Sequence, residues 1–191
     1  MGNCGGNAYI CTPLGKYRLR EYRKTATNSA NKHQKMRFIG DYPAKTDAKG
    51  RVFLPAAFRK TLEAAGEQGL VLRQDVFQKC LVLYPKSVWE ADLEELKGSL
   101  NKWNRQHQNM LREFVLGSDE IELDAQGRLL ISKKKLQDTG IENEVRFLAI
   151  DDRIEIWSKS ALEEIEKNSA NLGDELEALL GQTGANEMRT V

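Results

Sequence analysis

The sequence contains few of the side chains that usually build catalytic or metal-binding sites, with three cysteines and two histidines among 191 residues. Cys4, Cys11 and Cys80 form no Cys-x-x-Cys pair and lie near neither His33 nor His107. Their spacing therefore fits neither a zinc site nor a disulfide framework. Because no Ser/His/Asp or Cys/His set can be assembled either, we expect a protein that is not an enzyme and that uses no metal or cofactor.

Long apolar runs are also missing from the sequence. The longest span only a few residues, well short of the roughly 20 that a membrane helix needs, and the N-terminus lacks the apolar segment of a secretory signal. We therefore expect a cytoplasmic protein with no membrane partner. A chain of 191 residues is long enough to bury a core, as one domain or two small ones.

The net charge is close to zero, but the charges are unevenly distributed. Of the 29 basic and 28 acidic residues, residues 1–35 hold seven bases and one acid. Residues 36–191 therefore carry 22 bases and 27 acids, a net charge of −5. Bulk positive charge is thus not what would attract the folded part of the chain to a polyanion.

Residues 1–35 are rich in Gly, Asn, Thr and Lys and show no helical or strand periodicity, so we expect a disordered basic extension. Two interpretations of this segment stay open. It is either a basic arm that adds contacts to phosphates, or sequence that is not native and precedes a natural first residue at Met36. The periodic pattern begins abruptly there, at "MRFIGDY".

From residue 36 onward the chain carries one plan twice. "TDAKGRVFLP" at 46–55 is followed 77 positions later by "LDAQGRLLIS" at 123–132, and "LVLYPKS" at 81–87 is matched by "IEIWSKS" at 154–160. An internal repeat constrains the fold more than local propensity does. We predict a first repeat with a long helix at 36–117, a second repeat with a C-terminal helix at 118–181, and a flexible tail at 182–191.

Each copy contains a helix-start signal after its second conserved phrase. Ser87-x-x-Glu90 and Ser160-x-x-Glu163 have the spacing of a capping box, in which the serine accepts from the N3 amide and the glutamate reaches back. We predict that both helices begin in this way, and that the second, from Ala161, extends through several leucines with an interruption near Gly173.

The first helix is predicted to be the longer of the two. Apolar residues recur at spacings of three and four from Trp89 to Trp103, which forms one stripe on a helix. After a polar break, Met110, Leu111 and Phe114 continue the pattern. Core packing is the favoured role of this stripe, and binding of a partner is the alternative.

The repeated phrase Asp-x-x-Gly-Arg predicts a turn followed by a strand. The aspartate can accept a backbone amide two residues on, and glycine tolerates the left-handed conformation that follows. In the strand, Val52 and Leu54 should face inward while Arg51 shares the opposite face with Phe53. The arginine then either forms an ion pair at the rim or presents its planar fork to phosphates or guanine edges. The residues alone leave both roles open.

These doubled phrases, the segment "VFLPAAFR" and the aromatic-ended strands resemble the MraZ family of bacterial transcriptional regulators, which is built from two AbrB-like repeats. The resemblance covers residues 36–168. It implies an α+β fold of two pseudo-symmetric AbrB-like (SpoVT-AbrB / MraZ) β-barrel-type repeats with helices, assembled into a ring-shaped homo-oligomer. It also implies a nucleoid-associated DNA-binding regulator, expected to repress the division and cell-wall gene cluster by binding direct repeats in its promoter, with no small-molecule substrate.

The resemblance also implies which residues meet DNA. The Asp and Arg of each phrase carry over, and the residues between them are our additions; the resulting DNA-binding set is Asp47, Lys49, Arg51, Asp124, Gln126 and Arg128. The second copy departs from the family pattern. Where the first copy has Leu54-Pro55 followed by Arg59, the second copy has Ile131-Ser132. Three lysines, Lys133, Lys134 and Lys135, follow there instead, so the basic character is kept and the rigid corner is lost.

Three other functions compete with the transcriptional regulator. One is an antitoxin-type module that binds DNA through the barrel and a toxin through its C-terminal helix. Another is an oligomeric scaffold, which would be supported by burial of Arg51 and Arg128 in intramolecular ion pairs. A metal-dependent hydrolase is disfavoured, because one carboxylate per turn is too few ligands for a divalent cation.

Overall fold

The computed structural model describes residues 36–67, 69–168 and 172–186, so the predicted basic extension at 1–35 lies outside the described residues. In chain order the elements are β1 Asp41–Lys45, β2 Arg51–Phe53, α1 Ala56–Ala65, β3 Leu70–Gln74, β4 Leu81–Pro85, α2 Lys86–Ser99, α3 Arg105–Val115, β5 Asp119–Ile121, β6 Arg128–Leu130, α4 Lys133–Asp138, β7 Glu144–Ile150, β8 Arg153–Ser158, α5 Lys159–Asn168 and α6 Leu172–Asn186. The predicted α+β class is confirmed.

The two copies interleave in one antiparallel sheet instead of forming separate sheets. The strand order is β1-β7-β8-β4-β3-β5, and β2 pairs with β6 in a second, two-stranded sheet. Exchanging the copies maps β1 onto β5, β3 onto β7 and β4 onto β8, and the order then reads the same in reverse. The structure therefore has a pseudo-twofold axis, and the β2–β6 pair lies on it.

The large sheet is covered on both faces. One face packs against α1, α4 and the inward side of the β2–β6 pair, where Val52, Leu54, Leu129 and Ile131 are almost fully buried. On the other face, Trp89 of α2, Leu162 of α5 and Phe114 of α3 pack over Val71 and Val82. Burial of this much apolar surface is the main stabilising term in such a fold.

The prediction that the apolar stripe from Trp89 to Trp103 lies on one helix is wrong, although α2, with 14 residues, is longer than α5, with 10. Helix α2 ends at Ser99, and α3 begins after Asn104, whose Oδ1 accepts from the amides of Gln106 and His107 at 2.8 and 3.2 Å. Asn101 Oδ1 likewise accepts from the amide of Trp103, 2.9 Å away. Asparagine side chains that compete for backbone amides favour caps and turns over helix interiors, so the helix breaks and Trp103 is left 83% exposed.

Both predicted capping boxes are wrong. Helix α2 starts directly after Pro85, with φ already fixed at −56°, and Ser87 Oγ donates to Glu67 Oε2 at 2.5 Å. Helix α5 starts at Lys159, where the amide of Ala161 donates to Ser158 Oγ at 3.3 Å. Serine is thus used as a cap at the second helix, but two residues before the predicted one.

The C-terminal region is helical in two segments. Helix α5 ends at Asn168 and α6 begins at Leu172; the residues between them, close to the predicted interruption at Gly173, lie outside the described part. Helix α6 continues to Asn186, into the range predicted as a flexible tail, and residues 187–191 are outside the described residues.

Candidate nucleic-acid interface

The first Asp-x-x-Gly-Arg phrase folds into a turn that Asp47 organises. Its Oδ1 accepts from the backbone amides of Lys49 and Arg51, both at 2.9 Å. Its Oδ2 accepts from Arg51 Nε at 2.7 Å and lies 2.6 Å from Nη2. The backbone closes the turn, because Gly50 N donates to Asp47 O at 2.9 Å and Asp47 N donates to Arg51 O at 2.9 Å.

The second phrase repeats this geometry to within 0.1 Å. Asp124 Oδ1 accepts from the amides of Gln126 and Arg128 at 2.9 and 3.0 Å. Its Oδ2 accepts from Arg128 Nε at 2.8 Å and lies 2.7 Å from Nη2. The two turns are therefore one structural device used twice, as the repeat in the sequence predicts.

Both turns require glycine at their fourth position, for the same conformational reason. Gly50 and Gly127 have φ of +83° and +78°, in the left-handed region that disfavours other residues. A Cβ atom on Gly50 would lie 2.4 Å from the backbone oxygen of Ile131, and one on Gly127 would lie 2.8 Å from Nη1 of Arg59. Each turn thus packs closely against the opposite copy.

Pairing of β2 with β6 brings both turns onto one exposed surface. Arg51 lies opposite Leu130, Val52 opposite Leu129, and Phe53 opposite Arg128. Because Val52 and Leu129 point into the core, the outward side chains are Arg51, Phe53, Arg128 and Leu130, which we call the ribbon face. The Cα atoms of its two arginines are about 8 Å apart on the diagonal, given about 3.4 Å per residue and about 4.8 Å between strands.

The electrostatics of the two turns keep the carboxylates ionised and the guanidinium groups oriented. Hydrogen bonds from the Arg51 side chain and backbone lower the pKa of Asp47 from 3.8 to about 2. The same donors on Arg128 lower the pKa of Asp124 from 3.8 to about 2. The arginine side chains are 35% and 20% exposed, and the bonds to aspartate use Nε and Nη2 and leave out Nη1.

The predicted site residues differ in exposure and in the contacts that they make within the fold. Lys49 and Gln126 occupy equivalent positions in the two turns, where the backbone amide of each donates to the aspartate, and both residues are exposed. The ion pairs that the scaffold interpretation requires are present, but neither arginine is buried.

The surroundings of the two turns differ, and this difference involves one more arginine. Arg59 of α1 donates from Nε to the carbonyl of Leu54 at 3.2 Å, and its guanidinium covers Gly127 of the second turn. The equivalent position in the second copy is Leu136, whose Cδ1 lies beside Gly50. The first copy therefore supplies a basic group to the second turn, and the first turn receives an apolar one.

The lysines of the second copy also divide into two kinds. Lys133 and Lys134 are exposed on α4. Lys135 is instead used inside the fold, where its Nζ donates to the carbonyl of Gly117 at 2.5 Å and to Asp119 Oδ2 at 2.7 Å. Lys135 thus fastens α4 to the start of β5 and is not placed to meet a polyanion.

Two further properties concern the described residues alone. They contain no group of three or more His, Cys, Asp or Glu side chains arranged to hold a metal ion. Within that same part of the chain, every helix is too short or too polar to span a bilayer.

Comparison with known proteins gives a consistent result. The family described as "MraZ protein, putative antitoxin-like" matches residues 38–112 and 114–182. Similar proteins named "Transcriptional regulator MraZ" occur in Phocaeicola vulgatus, 50% identical over 146 residues that cover 76% of this chain and 95% of that protein, and in Bacteroides fragilis, 46% identical over 157 residues that cover 81% of this chain and 99% of that protein. Because the match spans both repeats and nearly the full length of these relatives, the chain belongs to the MraZ family.

Proposed function

We propose that this chain is a transcriptional regulator that binds DNA through the ribbon face and the two turns beside it. The observation that carries the proposal is the doubled Asp-Arg geometry, in which Arg51 and Arg128 emerge from one exposed two-stranded ribbon with matching orientation. The names of the family's relatives, which describe regulators, support it.

The physical properties of the ribbon face suit the major groove. That groove admits a two-stranded ribbon and presents guanine O6 and N7 as acceptors for an arginine fork. Each aspartate holds its arginine through two contacts to one oxygen, so less rotamer freedom is lost on binding. Nη1, which the aspartate does not use, can then donate to guanine or to a phosphate oxygen.

The operator and the assembly are further parts of the proposal. We infer a ring-shaped homo-oligomer of barrel-type repeats that binds direct repeats in the promoter of the division and cell-wall gene cluster and represses it, in the cytoplasm at the nucleoid. With a net charge of −5 over residues 36–191, one subunit is poorly suited to hold DNA by itself. Several ribbon faces that engage spaced repeats together gain about 10²- to 10⁴-fold through effective concentration.

A scaffold that oligomerises without specific DNA binding is the second candidate. The intramolecular ion pairs of Arg51 and Arg128 are the observation on its side, because such pairs often lie at the rim of a fold without a further role, although the burial that would support it more strongly is missing. An antitoxin-type module with little specific DNA binding is the other alternative, in which the C-terminal helix binds a toxin. Both differ from the proposal in predicting no preference for a promoter sequence.

The test is fluorescence anisotropy of the full chain with DNA from upstream of its own gene and with a scrambled duplex, at about 150 mM salt. We expect a preference of about 10³-fold or more for the promoter, which the Arg51→Ala/Arg128→Ala variant loses. Arg105→Ala/Arg112→Ala removes the same charge from exposed positions on α3 and should keep the preference. Equal weak binding of both duplexes by all three proteins would overturn the proposal.

A further inference from the structure

The ribbon face carries two large apolar side chains that packing does not account for. Phe53 and Leu130 are each 55% exposed, although the residues on either side of them in the strands are buried or bonded within the fold. They lie 77 positions apart and are therefore equivalent in the two copies. Exposed apolar side chains at both equivalent positions indicate a surface that meets something else.

The arrangement of these side chains is alternating. Phe53 lies opposite Arg128 and Leu130 lies opposite Arg51, so each apolar group has a guanidinium as its cross-strand neighbour. The Cζ atom of Arg128 is 5.7 Å from the centre of the Phe53 ring. Any ligand that accepts hydrogen bonds from the arginines must therefore also meet an apolar group a few ångströms away.

We propose that Phe53 and Leu130 are specificity-determining residues that contact the C5 methyl groups of thymines next to the positions held by the two arginines. This inference rests on the proposed DNA-binding function. In the major groove the thymine methyl is the apolar group that distinguishes a base pair, and aromatic or aliphatic side chains recognise it by contact. When an arginine binds a guanine or a phosphate, the apolar side chain beside it is placed to contact the methyl group of a neighbouring thymine.

The geometry favours this contact over a wedge between base pairs. A wedge needs a side chain that projects alone beyond its neighbours, whereas Phe53 has the Arg128 guanidinium against its ring. The two halves of the face are also unequal, with a phenyl ring in one and an isobutyl group in the other. A pseudo-twofold face with unequal halves distinguishes the two orientations of a site, as binding to direct repeats requires.

The experiment replaces thymines of the promoter duplex by deoxyuridine, one at a time, which removes only the methyl group. With the wild-type full chain we expect about a fourfold loss of affinity at each contacted thymine, the factor for one buried methyl-sized group. Phe53→Ala should abolish the loss at its own thymine and leave the loss at the thymine of Leu130, and Leu130→Ala should do the reverse. Phe53→Leu should keep part of the effect.

The controls separate a contact to DNA from an effect on Arg128. Phe77→Ala removes a phenylalanine that is 88% exposed in the β3–β4 loop and should change nothing. If Phe53 acted only by stacking on Arg128, Phe53→Ala would weaken binding while every methyl effect remained, and the inference would be wrong.

Failure of this inference differs from failure of the proposed function. A wild-type protein that prefers its promoter strongly but is insensitive to every methyl removal overturns the methyl contacts alone. A wild-type protein with no preference for its promoter overturns both. Far-ultraviolet circular dichroism of each variant verifies that the fold is retained, and the deoxyuridine scan of the wild type gives its answer without any variant.

Discussion

Val52 of the first repeat pairs with Leu129 of the second across the centre of the β2–β6 ribbon, and both side chains are fully buried. These two residues occupy equivalent positions, 77 apart in the sequence, so the pseudo-twofold axis passes between them. The flanking pairs consequently place Arg51 and Arg128 at diagonal corners of one surface. Two copies of the turn motif in this way contribute one arginine each to a single surface.

Replacing the aspartates should reduce specificity more than stability. In Asp47→Asn/Asp124→Asn each side chain can still accept the turn amides but no longer pairs as an anion with its arginine. We expect the promoter-over-scrambled preference to fall by on the order of tenfold, equivalent to about 1.4 kcal/mol. Affinity for scrambled DNA should rise, because two negative charges are lost near the phosphates. Competition anisotropy with both duplexes measures this, and an unchanged preference would show that the aspartates do not orient the arginines.

The same carboxylates should make stability depend on pH in a defined acidic window. Their pKa is about 2 in the folded protein against an ordinary 3.8, so their contribution is fully present above about pH 4 and is lost as pH falls through about 2. The melting temperature of the wild type should therefore approach that of Asp47→Asn/Asp124→Asn between these pH values. A difference between the two proteins that stays constant down to pH 2 would contradict the assigned ion pairs.

Alanine substitutions at three left-handed glycines should rank in a fixed order. Gly117→Ala meets open space at φ of +80°, so only backbone strain of about 1–2 kcal/mol applies. Gly127→Ala collides with the flexible Arg59 side chain, and Gly50→Ala collides with the backbone oxygen of Ile131, which should add about 1–3 kcal/mol. Urea unfolding should give the largest loss for Gly50→Ala and the smallest for Gly117→Ala. The reverse order would mean that the first turn does not pack on the second repeat.

Binding should require more than one promoter repeat and should weaken steeply with salt. Several ribbon faces acting together raise the affinity for a duplex with three repeats by about 10²-fold or more over one repeat, and each phosphate contact adds to the salt slope. Titrations of one-repeat and three-repeat duplexes between about 50 and 200 mM salt measure both quantities. Equal affinity for the two duplexes would argue against a multivalent assembly.

Local features of the site could be predicted from the sequence because local chemistry determines them. Asp at the first position and Gly at the fourth predict the turn, and alternation along β2 predicts that Val52, which is buried, and the half-buried Arg51 lie on opposite faces. The family resemblance, which rests on the doubled phrase, is confirmed by a match to both repeats.

Long-range relationships could not be predicted in the same way. The pairing of β2 with β6 joins residues 75 to 79 positions apart and follows from how two interleaved copies cover one sheet, which no local pattern encodes. The placement of Arg59 against Gly127 is a consequence of that pairing. The errors in the helices had local causes, since Asn101 and Asn104 divided a pattern that apolar spacing alone made continuous.

The most direct test of the DNA-binding account is a structure of the full chain bound to a duplex that carries its promoter repeats. We expect the β2–β6 ribbon in the major groove, with the Nη1 edges of Arg51 and Arg128 within hydrogen-bond distance of guanine or phosphate acceptors while both aspartates stay paired. A complex in which DNA contacts another surface, with the ribbon face turned to solvent or to a neighbouring subunit, would contradict the account.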